Sequence, residues 1–397
     1  MPWKETRIMD QRTKFALEAL HTSNFQELCK EYAISRKTGY KWKDRFMAKG
    51  LDGLVDESRK PHTNSNQLQE HVVCEIVRLK NAHLKWGPAK IRELYRRKHP
   101  TKELPSESSF KRVLKSSGLI QERKKRAVYT SSRITTGIIA KAPNEVWTID
   151  FKGWWLSSDN KKVEPLTVRD EFSKKILAVV LMKSTKTEAV KAVFEELFER
   201  YGMPGAIRSD NGPPFASSNS LLGLSRLSAW WLSLGIKLER GRPACPQDNG
   251  AHERMHLDIY RELQKEGVGF DQAAFDIWKE EYNSVRPHAA LGMQTPDEVY
   301  TPSETNYEGS EVELDYGTML TRKVHNCRGT IGYENEYYKL TSAIGGYTVG
   351  LKATGEHHTE VWFSHQLLGH IDHSIRKFTP IAENLRMTRK KRTQVSP

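Results

Sequence analysis

Three carboxylates have the types and surroundings to do chemistry: Asp150, Asp210 and Glu253. Asp150 lies within the apolar run Glu145–Gly153, which reads as a strand, and an ionised acid there is costly unless something compensates it. Asp210 follows a strand over Met203–Arg208, in the turn Ser209-Asp210-Asn211-Gly212. Glu253 falls on a helix that starts near Ala251, introduced by Pro246-Gln247-Asp248-Asn249-Gly250. An acid in one strand, one at the end of another and one from a nearby helix would converge on one point. Such groups repel and raise each other's pKa unless cations sit between them. Hard oxygen donors of this kind suit Mg²⁺ or Mn²⁺. Two such ions, roughly 3.5–4 Å apart, can activate a nucleophile and stabilise the leaving oxygen at a phosphodiester. Asp150, Asp210 and Glu253 are therefore the expected catalytic and metal-binding residues.

The elements that must position them follow from periodicity. Val163–Phe172 and Ile176–Lys183 read as two further strands, and Thr187–Tyr201 as an amphipathic helix carrying Val190, Val193, Leu197 and Phe198. Competing acids have structural readings: Asp170 caps a hairpin or pairs with Arg169 or Lys174, and Asp248 belongs to the turn before the helix. Asn211 and Asn249, each before a glycine, are expected as turn formers. Arg254 and His256, on the helix of Glu253, could approach phosphate. His252-Glu253-Arg254-Met255-His256 also matches H-E-x-x-H, the zinc-protease signature, with Glu280 or Glu281 as a further acidic ligand. That reading leaves Asp150, Asp210 and the basic N-terminal region unexplained, so it ranks as a remote alternative.

Charge is unevenly placed. The 397 residues carry 63 Lys+Arg and 49 Asp+Glu, a net charge of +14. Residues 1–149 hold 31 basic against 16 acidic side chains, and the remainder 32 against 33, so the excess is N-terminal. Clustered positive charge implies a polyanionic partner, because each neutralised phosphate releases counterions. Phe15, Ala16, Ala19 and Leu20 share one helix face. Asn24 and Glu27 fit a capping arrangement, and Ser35 can cap a third helix through Met47. That helix offers Arg36, Lys37, Lys41, Lys43 and Arg45, the layout of a helix-turn-helix whose last helix enters the major groove. The design recurs. Leu68, Val72, Val73, Ile76 and Val77 line one helix, Pro88 opens the next, and Ser106 can cap a third bearing Ser108, Ser109, Lys111, Arg112 and Lys115. Arg123, Lys124, Lys125 and Arg126 lie in a linker that could follow phosphates.

Thr301–Ser310 reads as a linker. Short β segments at Leu314–Leu320, Cys327–Ile331, Glu336–Leu340, Tyr347–Leu351 and Glu360–Phe363 point to a small SH3-like barrel, with a mobile basic tail from Lys377. Cys29, Cys74, Cys245 and Cys327 form neither a disulfide framework nor a CxxC zinc site. No run approaches the roughly 20 apolar residues of a membrane span, and Met1-Pro2-Trp3-Lys4-Glu5 lacks the apolar core of a signal peptide. A soluble cytoplasmic, nucleoid-associated protein is expected, and membrane and secreted classes are excluded.

The strings W-T-I-D-F-K-G (147–153), R-S-D-N-G-P-P-F (208–215) and P-Q-D-N-G-A-H-E-R (246–254) resemble the three catalytic blocks of retroviral-integrase-type DDE recombinases. Y-N-S-V-R-P-H-A-A-L-G (282–292) and T-P-D-E-V-Y (295–300) resemble the segment closing that core in bacterial insertion-sequence transposases. The opening M-P-W-K-E-T and S-R-K-T-G-Y-K-W (35–42) are similar to one branch of them, so the resemblance runs from about residue 1 to 300. It implies an RNase H-like core of five strands flanked by helices, with Asp150, Asp210 and Glu253 as metal ligands. It also implies hydrolytic nicking at the element's ends, then attack of the freed 3′-hydroxyl on target DNA. The 42 residues between Asp210 and Glu253 exceed the usual retroviral spacing, an excess placed at Leu221–Trp231.

The expected architecture is multidomain. An all-α tandem helix-turn-helix region (1–58 and 66–122) leads through a basic linker (123–142) to an α/β RNase H-like core (143–300). A second linker (301–312), a small all-β barrel (313–375) and a basic tail (376–397) follow. The expected function is that of a DDE transposase acting on double-stranded DNA, namely the terminal inverted repeats and the target, as a homo-oligomer with two metal ions per site. A DNA-binding regulator derived from a transposase but lacking catalysis is the second reading, and a plain RNase H-like nuclease the third.

Overall fold

Phe15, Ala16 and Ala19 come to one face of helix α1 (Ile8–His21) because they recur at helical spacing. Helices α2 (Phe25–Glu31) and α3 (Arg36–Lys49) close over them, burying Leu28, Cys29, Trp42 and Leu54. The caps are those the sequence marks: Asn24 accepts from the Glu27 N–H, and Ser35 from the Thr38 N–H. Arg12 stacks over Trp42 at 4.0 Å, donates to the Leu54 carbonyl and pairs with Asp56. The computed structural model describes residues 8–57, 68–120, 137–151, 153, 155–156, 162–217, 220–241, 250–263, 271–309 and 313–381. It divides into two compact units, 1–69 and 70–397.

The second unit opens with another three-helix set: α4 (Glu70–Ala82), α5 (Pro88–Lys98) and α6 (Glu107–Ser116). Ile76, Leu79, Ile91, Tyr95, Phe110, Val113 and Leu114 are buried within it. Pro88 takes the first position of α5, and Ser106 accepts from the Ser109 N–H.

The central sheet follows. Its strands are β1 (Val146–Phe151), the two-residue β2 (Trp155–Leu156), β3 (Lys162–Asp170), β4 (Ile176–Met182), β5 (Ala206–Ser209) and β6 (Lys237–Arg240). β3 pairs antiparallel with β1, β2 and β4, whereas β1–β5 and β5–β6 are parallel, giving a mixed sheet of RNase H-like kind. One face is covered by α7 (Thr187–Tyr201) and α8 (Arg226–Ser233), which bury Phe194, Phe198, Trp230 and Trp231 against Trp147, Ile149 and Ile207. The other face carries α9 (Gly250–Leu263) and α10 (Gln272–Glu280), with Met255, Ile259, Phe275 and Trp278 against Ile176 and Val179. A π-helical turn (Glu281–Val285) and the short α11 (Pro296–Val299) close the core. Here α4–α6 is tied in. Arg97 pairs with Glu298 at 2.9 Å and donates to the Met293 carbonyl, and His83 meets Glu281 at 2.8 Å. Gly202, at φ +74°, ends α7 where a Cβ would meet the Ser303 carbonyl at 2.7 Å, so the chain passes too closely for a side chain.

The C-terminal strands are β7 (Leu320–Lys323), β8 (Thr330–Tyr333), β9 (Glu336–Lys339), β10 (Thr348–Ala353), β11 (His358–Phe363), β12 (Gln366–Asp372) and β13 (Lys377–Pro380). They form an antiparallel sheet in the order β13-β12-β11-β10-β7 and a separate β8–β9 hairpin. Three sequence expectations are corrected. The barrel is not closed: among the described residues β13 and β7 are sheet edges that do not pair. Its apolar face is covered instead by Leu222, Leu224, Ala229 and Leu232, from the longer segment between Asp210 and Glu253. That segment joins core to sheet, aided by Ser220 and Thr341, whose hydroxyls lie 2.7 Å apart. Lys377–Pro380 is a strand rather than tail, since its backbone pairs with Gly369–Asp372. Residues 314–319 precede the first strand rather than form it. Among the described residues no helix is long and apolar enough to cross a membrane.

Candidate active site

Strand alternation divides β1 between two environments. Trp147 and Ile149 point into the apolar core, so Thr148 and Asp150 face the opposite side, beneath α9. In the parallel pairing of β1 with β5, Thr148 is level with Arg208. Two residues further on, Asp150 lies near the end of β1 and Asp210 directly follows β5, so both acids sit toward the carboxyl ends of neighbouring parallel strands. In open α/β sheets ligands bind outside such strand ends, where the strand order reverses. The Asp150 side chain is 25% exposed, enough to meet a substrate. Burial pushes the Asp210 carboxyl up from its ordinary pKa, opposed by the Gly212 N–H that donates to it. Asn211 donates to the Gly241 carbonyl at 2.9 Å and ties the Asp210 turn to the end of β6, a turn role like that read from sequence.

Helix α9 is held on this face by polar contacts as well as by Met255 and Ile259. His252 and His256, one turn apart, both direct Nε2 at the Thr167 hydroxyl, at 2.6 and 2.8 Å. His252 Nδ1 lies 3.1 Å from the Thr148 hydroxyl, and His256 Nδ1 lies 3.9 Å from Asp150. Burial lowers the His252 pKa well below its ordinary value, so that ring is neutral. At the other end of α9, Arg286 pairs with Asp258 at 2.7 Å and Glu262 at 3.0 Å. Asn283 satisfies both the N–H and the carbonyl of Ile176. The Y-N-S-V-R segment is therefore an anchor for the helix that carries Glu253. Sequence reasoning assigned no role to Thr167, Asn283 or Arg286. The available signal was a threonine and an arginine placed where apolar neighbours prevail.

The expected site residues fall as follows. Glu253 is exposed on α9, on the layer that covers Asp150. Among the described residues no three His, Cys, Asp or Glu side chains are grouped so as to hold an ion. Asp170 is buried and accepts from the Asn144 N–H and from both the N–H and hydroxyl of Ser173, which makes it the hairpin cap. The zinc-protease reading is corrected, because both histidines are packed onto Thr167 inside the fold. For the same reason His256, only 8% exposed, faces the sheet rather than phosphate, whereas Arg254 is exposed and pairs with Asp258. Asp248, Asn249 and Arg123, Lys124, Lys125 and Arg126 lie outside the described residues.

On α3, Arg36, Lys37 and Lys41 are exposed, while Lys43 is half-buried beside the Phe25 ring. Arg45 is drawn to Glu57, which also binds Lys49, and so is committed within the fold. On α6, Ser108, Lys111, Arg112 and Lys115 are exposed on one side, opposite buried Phe110, Val113 and Leu114, and Ser109 is half-buried beside the Ser106 cap.

The sequence matches the Integrase core domain over residues 140–246 and a second model of that description over 234–296. It matches a Helix-turn-helix domain over 11–62 and a Homeodomain-like domain over 38–114. The insertion element IS407 uncharacterized 31.7 kDa protein of Burkholderia multivorans is 28% identical over 238 residues, 58% of this chain and 80% of that protein. The insertion element IS476 uncharacterized 39.2 kDa protein of Xanthomonas euvesicatoria is 23% identical over 248 residues, 62% of this chain and 68% of that one. A solved HTLV-2 integrase catalytic core domain in complex with magnesium is 18% identical. That match covers 41% of this chain and 100% of the other, at a TM-score of 0.33. An integrase core and helix-turn-helix domains, in a chain similar over more than half its length to proteins of bacterial insertion elements, are the parts of an insertion-sequence transposase with an integrase-type core.

Proposed function

We propose that this transposase binds the terminal inverted repeats of its element. Asp150, Asp210 and Glu253 would then hold two Mg²⁺ or Mn²⁺ ions for nicking at the element ends and strand transfer into target DNA. The observation that supports this is the parallel β1–β5 pairing: Asp150 lies near the carboxyl end of β1 and Asp210 directly after β5, and the helix that carries Glu253 packs on the face of Asp150. The donor set fits hard divalent ions, since all three groups are carboxylates. When bound, the ions would activate the attacking oxygen and stabilise the leaving one. The protein's part is to hold the carboxylates and orient the DNA.

Cations on α3 (Arg36, Lys37, Lys41) and α6 (Lys111, Arg112, Lys115) are exposed and would meet phosphates or base edges. Arg254, exposed beside Glu253, would meet the phosphate next to the cut. Two element ends need two active sites, so the working form is a homo-oligomer on DNA.

Strand transfer of labelled element-end DNA in Mg²⁺ tests the reading. The wild type should join ends, and Asp150→Asn, Asp210→Asn and Glu253→Gln should each lose at least a thousandfold while binding end DNA normally. Joining at wild-type rates in any of the three would remove that residue from the site. Tight binding by the wild type without metal-dependent nicking would instead favour a regulator.

A further inference from the structure

Thr167 stands directly across from Asp150 in the β1–β3 pairing. Its hydroxyl lies 2.9 Å from the Asp150 carbonyl oxygen, 2.6 Å from His252 Nε2 and 2.8 Å from His256 Nε2. Thr167 and His252 are fully buried. A hydroxyl has one proton and two lone pairs, so donation to the Asp150 carbonyl leaves two acceptor positions for two imidazole N–H groups. The hydroxyl is then saturated. His252 Nδ1 lies 3.1 Å from the Thr148 hydroxyl, which donates to the Arg169 carbonyl.

This arrangement does something that Met255 and Ile259 cannot. Apolar contacts hold α9 against the sheet but tolerate sliding, because they have no direction. Two side chains one turn apart, fastened to one oxygen, fix both the rotation and the axial position of the helix. A shift by one residue moves α9 about 1.5 Å and turns it roughly 100°, which breaks both bonds. Glu253 follows His252 by one residue, so its position is set by the same fastening.

We propose that Thr167, His252 and His256 form a positioning clamp that sets the register of the Glu253 helix against the Asp150 strand, and so the reach of Glu253 into the metal site. The proposal rests on the three-acid reading above. It gives a role to the histidines that resemble a zinc motif, one in which they bind no metal.

Iron-directed cleavage of the full-length chain separates the outcomes. Fe²⁺ with ascorbate and peroxide replaces Mg²⁺ and cuts the backbone near its ligands. Wild-type protein should be cut around residues 150, 210 and 253. In Thr167→Val, which keeps shape and loses the hydroxyl, the cut near 253 should fall at least tenfold while those near 150 and 210 persist. End-DNA affinity and the unfolding temperature should stay close to wild type, and Thr167→Ser should restore the pattern. His256→Leu should repeat the loss, and His256→Gln, which retains a donor, should lessen it. These two serve if Thr167→Val does not fold. An undiminished cut near 253 in Thr167→Val overturns the clamp. So does an equal fall at all three sites with a lowered unfolding temperature, which marks a merely structural role. A wild type uncut at all three sites refutes the acid assignment, and the clamp falls with it.

Discussion

The two faces of the central sheet are closed in different ways. Under α7 and α8 the contacts are aromatic and aliphatic: Trp147, Phe194, Phe198, Trp230 and Trp231 fill the layer. Under α9 the apolar contacts of Met255 and Ile259 share the face with Thr148, Asp150, Thr167, His252 and His256, and Arg286 fastens the far end of the helix. The first arrangement supplies stability and is indifferent to small slides. The second supplies register, which a site built from one strand, one strand end and one helix requires. Polar groups give direction where the proposed three-acid site would need alignment, and apolar groups give cohesion where no alignment is needed.

Substitutions on the two faces should therefore separate cohesion from alignment. Trp231→Ala empties a fully buried site and should cost about 3–5 kcal/mol of stability, read by denaturant unfolding of the full chain. A loss under 1 kcal/mol would mean that this face is not the cohesive one. Arg286→Met leaves buried Asp258 with only exposed Arg254 and half-buried Glu262 with only the Trp278 N–H, and should cost about 3 kcal/mol. Adding Asp258→Asn and Glu262→Gln should recover part of it, and failure of that recovery would show that packing, not charge, sets the cost.

A smaller effect concerns pH. His288, near Lys90 and Arg286, has its pKa lowered to about 3, chiefly by burial. A base whose folded pKa lies below its unfolded value contributes stability above the unfolded pKa of about 6.5, lost as pH falls toward 3. Urea midpoints should fall between pH 6.5 and pH 4, more steeply in wild type than in His288→Gln; identical slopes would remove His288 from the account. The smallest effect lies in the first unit, where Ser35→Ala deletes the α3 cap and should cost about 1 kcal/mol. Since that unit has its own core, the change should leave the catalytic unit's unfolding untouched.

Much of the architecture was legible because it is local. Period-3.6 and period-2 patterns located α3, α7, β3 and β4 within a few residues, and short polar side chains marked the caps at Asn24, Ser35 and Ser106. The open C-terminal sheet was not legible, because what replaces barrel closure is Leu222 and Leu232, about a hundred residues away in sequence. The anchoring roles of Thr167, Asn283 and Arg286 escaped for the same reason. Each depends on a partner far along the chain, and a single side chain gives no sign of which distant group it will meet. His256, expected near phosphate, instead joins His252 on a buried hydroxyl, since i, i+4 spacing on a helix serves such a hydroxyl as readily as the zinc ion of the remote alternative.

Anomalous scattering from Mn²⁺ soaked into crystals of the full chain with element-end DNA tests the central claim most directly. Two peaks are expected at the carboxyl ends of β1 and β5, held by Asp150, Asp210 and Glu253. Peaks lodged between His252 and His256, or ions bound at that edge without Glu253, would contradict the account.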